Sequence, residues 1–365
     1  MSENNVRIIK TFTPDENFAR HSEGDFIRLR DGSIMLVYSR YFGGSHKDDA
    51  DAALAVCYSY DNGESWTEPE TLFHPSEFGV TNIMSVTLMR MQNGDIGLVF
   101  SLAEPGFERF NRRHIVLRSS DEGKTYHHCS FCDPQEYSGR FGLNNSRIER
   151  LSSGRLVAVF HIHPGAKKEQ VGEIRPRISP RSFGIVTYSD DDGYTWKTSP
   201  DLICPPFNCT NRGLQEGGVI ELSPNVLKAY FRTDRMYQYE ALSFDGGEHW
   251  TAAQPSCFTA PWSPLKIVRN PFTSKLYAIW NPIPLYNSRP FRHIDWGRTP
   301  YVYAELNEDA SAFGEIKTIE GKPDHGYCYP AVLFTAEDEM LMAYCSGGPD
   351  DNIGLAKLTI AKIKL

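Results

Sequence analysis

Apolar and polar positions alternate along this chain in short runs bounded by Gly, Asn, Asp and Pro. A period of two over runs this short predicts β-strands rather than helices. The runs come in pairs around turn residues. Residues 26–38 reverse at Gly32, 88–100 at Gly94, 148–160 at Gly154, 219–231 at Asn225, 267–280 at Ser274 and 332–344 at Asp338. Each pair reads as a hairpin, with the turn residue supplying the sharp reversal. The turns lie 62, 60, 71, 49 and 64 residues apart, so six units of similar size account for the sequence.

A second series repeats independently of the first. The octets Ser59-Tyr-Asp61-Asn-Gly63-Glu-Ser-Trp66, Ser119-Ser-Asp121-Glu-Gly123-Lys-Thr-Tyr126, Ser189-Asp-Asp191-Asp-Gly193-Tyr-Thr-Trp196 and Ser243-Phe-Asp245-Gly-Gly247-Glu-His-Trp250 share one pattern and start 60, 70 and 54 residues apart. Asp bonds to the backbone of its own turn, Gly supplies positive φ, and the aromatic folds back over the hairpin. This is turn chemistry, not catalytic chemistry. Six four-stranded units, each with an apolar face that only a neighbour can cover, predict an all-β, six-bladed propeller of four-stranded antiparallel blades. Residues 6–12 are expected to pair with the last unit, near 353–365, and latch the ring. No low-complexity linker interrupts the series, so residues 1–365 are expected to form a single propeller domain.

Composition agrees with this and narrows function. Aromatic residues at 12%, with 29 Gly and 23 Pro, suit many strands and turns. A formal net charge of −8 leaves no global basic field for nucleic acid or an anionic membrane, so an anionic ligand needs a local Arg cluster. No apolar run reaches membrane length, and the first residues lack the basic start and apolar stretch of a secretory signal, so a cytoplasmic protein is expected. The eight cysteines are scattered, and the close pair Cys129 and Cys132 lacks a second pair or nearby His pair, so no metal site is expected there.

Four such octets within a six-unit chain resemble the Asp-box, or BNR-repeat, propellers, in particular the sialidase (neuraminidase) superfamily. The resemblance implies a retaining, exo-acting glycoside hydrolase that cleaves terminal α-linked sialic acid, or a related nonulosonate, from glycoconjugates. Its substrate carries a carboxylate on the anomeric carbon, which three converging guanidinium groups bind through charge-assisted bonds. That carboxylate repels a carboxylate nucleophile, so sialidases use a Tyr whose proton passes to a Glu, and a separate acid protonates the leaving oxygen. No metal or organic cofactor is required, and the expected partner is a sialylated glycan or another acidic sugar. Oligomeric state is not legible.

The resemblance carries over residue by residue. Residues 215–222, 230–233 and 239–245 look like the sialidase strand pair that supplies the proton-accepting Glu, here Glu216, and the second Arg, here Arg232. The hairpin at Asn225 falls halfway between them, which brings both to the same end of adjacent strands. A surface salt bridge between strands is the plain alternative. Arg298, directly before an apolar strand, is similar to the third Arg and ranks ahead of Arg289 and Arg292. Tyr329 occupies the family's nucleophile position, with Tyr327 two residues earlier on the same expected strand face.

Sialidases usually open with Arg-Ile-Pro, whereas this chain has Ala19-Arg20-His21-Ser22-Glu23. Arg20 is the candidate first Arg, ahead of Arg28 and Arg30, and Glu23 is a candidate second acid. In the loop 43–51, Asp48, Asp49 and Asp51 compete as acid/base, with Asp49 ranked first and Asp51 second. Asn82, Asn145, Arg147 and Trp262 sit where pocket residues would contact hydroxyls and the N-acyl group, with turn and capping roles as the alternative. His161 and His163 have no third ligand in register and read as core or rim residues. Two other functions compete: a non-catalytic carbohydrate-binding propeller, and a glycosidase for another acidic sugar such as a uronate.

Overall fold

A strand buried on both faces reads as a nearly unbroken apolar run, and the second strand of each unit does so. In Leu156–Pro164, Leu156, Ala158 and Phe160 point to one side and Val157 and Val159 to the other, all fully buried. The first set packs with Val99 and Val116 of the preceding sheet, the second with Leu227, Ala229 and Phe231 of the next. The same alternation gives every neighbouring pair of sheets its own apolar cluster, six in all among the described residues.

The computed structural model describes residues 5–103, 112–134, 136–137, 139–165, 179–205, 210–283, 297–351 and 353–365. In these the chain is all-β and forms a six-bladed propeller of antiparallel sheets. The first blade is Phe18–Arg28, Ile34–Phe42, Ala52–Ser59 and Glu70–Phe73, counted from the axis outwards. The innermost strands of the second, fourth, fifth and sixth blades are Ile83–Arg90, Gln215–Ser223, Lys266–Arg269 and Gly326–Ala336. Val6–Phe12 pairs antiparallel with Lys357–Lys364, Val6 opposite Ile363 and Phe12 opposite Leu358, and completes the sixth blade as expected. Among the described residues no helix is long and apolar enough to cross a membrane.

The four octets form the hairpins that end the third strands. Ser59 Oγ donates to Asp61 Oδ1 at 2.8 Å and accepts from the N–H of Gly63 at 2.7 Å, and Asp61 Oδ1 accepts from the N–H of Ser65 at 2.9 Å. The other three octets repeat this lattice. The indoles of Trp196 and Trp250 donate to the carbonyls of Gly193 and Gly247 and close the turn.

The inner strands are kinked where they approach the axis. Pairing shifts register between His21 and Gly24, Met84 and Thr87, Gln215 and Gly218, and Cys328 and Ala331. Ser85, Ser146, Glu216 and Tyr329 have φ of 61°, 54°, 48° and 57°, the left-handed backbone that side chains other than Gly seldom adopt. In the third blade the break is complete: Gly139–Gly142 and Ile148–Arg150 both pair with Leu156–Pro164, so that sheet carries its inner strand in two pieces. Each bulge resets the in-out alternation at the axial end of its strand.

Candidate active site

The bulged ends of the inner strands and the loops beside them enclose an axial cleft of about 610 Å³. Three guanidinium groups line it from different blades: Arg20 from the first, Arg232 from the fourth and Arg298 from the fifth. All three residues are buried. Beside them, the sixth blade contributes Tyr329, whose hydroxyl donates to Glu216 Oε1 at 2.9 Å. Arg232 Nη1 donates to the same Glu216 oxygen and lies 3.4 Å from the Tyr329 hydroxyl. The Arg298 guanidinium carbon stands 5.4 Å from the Tyr329 ring centroid.

The electrostatics follow from burial and neighbours. Burial pushes the Tyr329 phenol well above its ordinary value and the Glu216 carboxylate adds to this, while Arg298 and Arg232 act against it. Burial alone would lower the Arg298 guanidinium, but Cys328, Tyr329 and Glu216 around it hold it firmly charged. Nε of Arg232, Nε of Arg298 and Oε2 of Glu216 are buried without a hydrogen-bond partner, leaving polar capacity for a ligand.

Asp48 reaches the cleft on the loop after the second strand of the first blade. Arg20 Nη1 donates to its Oδ1 at 2.6 Å. Desolvation beside the protein raises the Asp48 carboxyl, whose side chain is nonetheless 76% exposed, and the Arg20 pair with Arg112 behind it outweighs this, so the group lies below the usual aspartate range. Glu23 also lines the cleft, accepting from Arg20 Nη2 at 3.3 Å and from Ser22 Oγ.

An oriented chain of hydrogen bonds backs the fourth-blade side. Trp262 Nε1 donates to Gln215 Oε1 at 2.8 Å, the Gln215 amide reaches His163 Nε2 at 3.5 Å, and His163 Nδ1 meets the Ser179 carbonyl at 3.0 Å. A carbonyl only accepts, so His163 carries its proton on Nδ1. The Glu216 N–H donates to His161 Nδ1 at 3.2 Å, which fixes the bulge that aims Glu216.

Several expected residues sit elsewhere. Asp48, not Asp49 or Asp51, is the loop aspartate among the cleft-lining residues, because the turn at residues 47–50 directs only its side chain at Arg20. Tyr327 does not share the face of Tyr329: the bulge at Tyr329 breaks the alternation, and Tyr327 is buried against Tyr301 with a centroid separation of 6.3 Å. Asn82 braces the Asp48 loop, donating to the Ala50 carbonyl at 2.5 Å and accepting from Arg112 at 2.6 Å. Asn145 donates to the carbonyls of Gly24 and Tyr329, and Arg147 lies buried with its guanidinium 5.4 Å from the Tyr230 ring, so both act beneath the cleft. Arg289 and Arg292 lie outside the described residues. The cleft also contains Arg112, Arg140, His114, His161 and His163, which periodicity did not single out as site residues.

A model of the BNR repeat-like domain matches residues 35–342. The chain belongs to this family. A search of curated proteins finds no match. Among solved structures the BNR repeat-like chain is similar to a protein of unknown function from Dyadobacter fermentans, with TM-score 0.70 and 19% identity over 99% of this chain and 100% of that one. It is also similar to the NanB sialidase of Streptococcus pneumoniae, with TM-score 0.67 and 15% identity over 99% of this chain and 70% of that one. The Trypanosoma rangeli sialidase in complex with sialic acid gives TM-score 0.63 and 16% identity, and this chain spans 57% of that protein's length. At these identities the likeness is one of fold: a sialidase-like BNR propeller.

Proposed function

We propose that this propeller is a retaining glycoside hydrolase that releases terminal α-linked sialic acid or a related nonulosonate. The observation that carries the reading is the Tyr329–Glu216 hydrogen bond beside three buried guanidinium groups in one cleft. A phenol is a poor nucleophile until a base takes its proton, and Glu216 is within reach of that proton. Arg232 and Arg298 stabilise the phenolate as it forms, and with Arg20 they bind the anomeric carboxylate.

The steps balance without an added group. Tyr329 Oη bonds to the anomeric carbon as its proton passes to Glu216, the glycosidic C–O bond breaks, and Asp48 gives a proton to the leaving oxygen. Asp48 then takes a proton from water, which attacks the anomeric carbon as the Tyr329 Oη–carbon bond breaks, and Glu216 returns its proton to the phenolate. In the free protein Arg20 holds Asp48 ionised. A bound carboxylate competes for Arg20, so substrate binding itself raises the Asp48 carboxyl towards the protonated form that an acid needs.

Release of fluorophore from a 4-methylumbelliferyl α-sialoside tests the reading. Turnover lost in Arg232→Ala supports it. No turnover with free sialic acid still bound would make the propeller a lectin, and competition by a uronate but not by sialic acid would replace the sugar.

A further inference from the structure

A second cavity, about 920 Å³, opens at the rims of the third and fourth blades. It shares Ser179, Pro180, Arg212 and Trp262 with the axial cleft, so the two spaces meet at that wall. Asp48, on the first blade, lines the cleft but not this cavity. The oxygen of a leaving group must sit at its acid. A substrate part that enters the second cavity is therefore a substituent on the bound sugar itself, away from the scissile bond.

The walls indicate its chemistry. Arg181 and Arg212 both line the cavity, and neither guanidinium has an acidic partner among the described residues. Arg181 Nε is buried with no hydrogen-bond partner, and the Arg212 guanidinium rests 5.2 Å from the Trp262 ring centroid. Asp234 is the acidic side chain among the described lining residues, and its carboxylate is engaged. It accepts from Thr210 Oγ1 and from the N–H groups of Asn211 and Arg212 at 3.1 and 3.2 Å. Charge in the adjoining cleft is unbalanced in the same sense. Among the described lining residues the guanidinium groups of Arg20, Arg112, Arg212, Arg232 and Arg298 outnumber the carboxylates of Glu23, Asp48 and Glu216 by two. One anomeric carboxylate does not neutralise that excess.

We infer that the sugar bound here carries a second anion on its exocyclic end, and that Arg181 and Arg212 bind it in the side cavity. The anion is a phosphate or sulfate ester, which leaves the bound sugar terminal and suits forked guanidinium donors. This inference rests on the sialidase reading of the axial cleft.

Isothermal titration of the full chain with free sialic acid and sialic acid 9-phosphate tests it. The phosphate is expected to bind roughly tenfold or more tightly than sialic acid, an advantage lost in Arg212→Gln and in the Arg181→Gln/Arg212→Gln double variant. Equal affinity for the two, or an advantage that survives both variants, overturns the inference. Umbelliferyl sialoside turnover measured in parallel separates the two readings. Turnover with equal affinities removes only the second anion site, no turnover with the advantage intact removes only catalysis, and failure to bind either ligand removes both.

Discussion

The hydroxyl of Tyr329 donates to Glu216 at 2.9 Å, and both residues occupy left-handed backbone, φ 57° and 48°, in inner-strand bulges two blades apart. Neither bulge is needed to build a blade, since pairing on both sides of each continues as ordinary antiparallel sheet. Backbone held in a sparsely populated region costs on the order of 1–3 kcal/mol; Ser85 and Ser146 adopt it in the second and third blades too, so the bulge recurs around the axis and here it aims both partners of one hydrogen bond. Tyr329→Phe and Glu216→Gln are each expected to lower kcat by about a thousandfold or more while binding free sialic acid within a few-fold of the parent. Steady-state kinetics with calorimetric binding checks this, and turnover near the parent's in Tyr329→Phe would remove the nucleophile assignment.

The sequence made this pair legible through counting. Glu216 and Arg232 straddle a hairpin turn, and in the structure Gln215 pairs with Arg232 as that arithmetic requires. The six units, the latch by residues 6–12 and the octet turns were legible for the same reason: each is local, periodic chemistry. Tyr327 was misplaced because a period of two holds only until a bulge, and a bulge at a non-glycine residue leaves no compositional mark. Asp48 and Arg112 were hard to single out because side-chain direction in a loop follows from contacts between distant segments, here Arg20 and Asn82. His161 matters through the Glu216 N–H it accepts, a contact between blades that strand periodicity cannot encode.

Arg298 offers a cleaner test of carboxylate recognition than Arg20 or Arg232, both of which pair with carboxylates already. Its Nη1 meets Cys328 Sγ at 3.1 Å, its Nη2 meets the Trp262 carbonyl at 3.5 Å, and Nε is unpartnered. Lysine would keep the charge and lose the planar fork. Arg298→Lys is expected to raise KM by roughly 10- to 100-fold, the value of one charge-assisted hydrogen bond, with a smaller change in kcat. A KM equal to the parent's would show that this side chain does not touch the substrate.

The loop aspartates can be told apart by leaving group. An acid matters most when the departing oxygen is basic and least when it is a stable phenolate. Asp48→Asn is therefore expected to cut hydrolysis of a sialyl-lactose by about 100-fold or more while sparing much of the activity on the umbelliferyl sialoside. Asp49→Asn and Asp51→Asn, which do not line the cleft, should stay within a few-fold of the parent on both. Loss of sialyl-lactose hydrolysis in Asp49→Asn with Asp48→Asn unaffected would reverse the assignment.

Acid should weaken the fold through His163 in the wall of the cleft. Burial, with Arg140 nearby, lowers His163 from 6.5 to about 4. A group whose folded value is depressed in this way binds its proton more readily unfolded, so its contribution is complete above pH 6.5 and is lost as pH falls through 4. The hydrogen-bond chain supplies the mechanism: a proton on Nε2 of His163 would face the amide donor of Gln215. Asp25 works in the opposite sense, since burial raises it to about 6 and its protonation favours the folded state as pH falls from 6 towards 3.8. The raw melting curve mixes these effects, so the informative quantity is a difference. Melting temperature followed calorimetrically from pH 7 to 4 should fall less steeply in His163→Gln than in the parent. Parallel curves would mean that His163 keeps its proton balance on unfolding and that the Gln215 contact does not depend on a neutral ring.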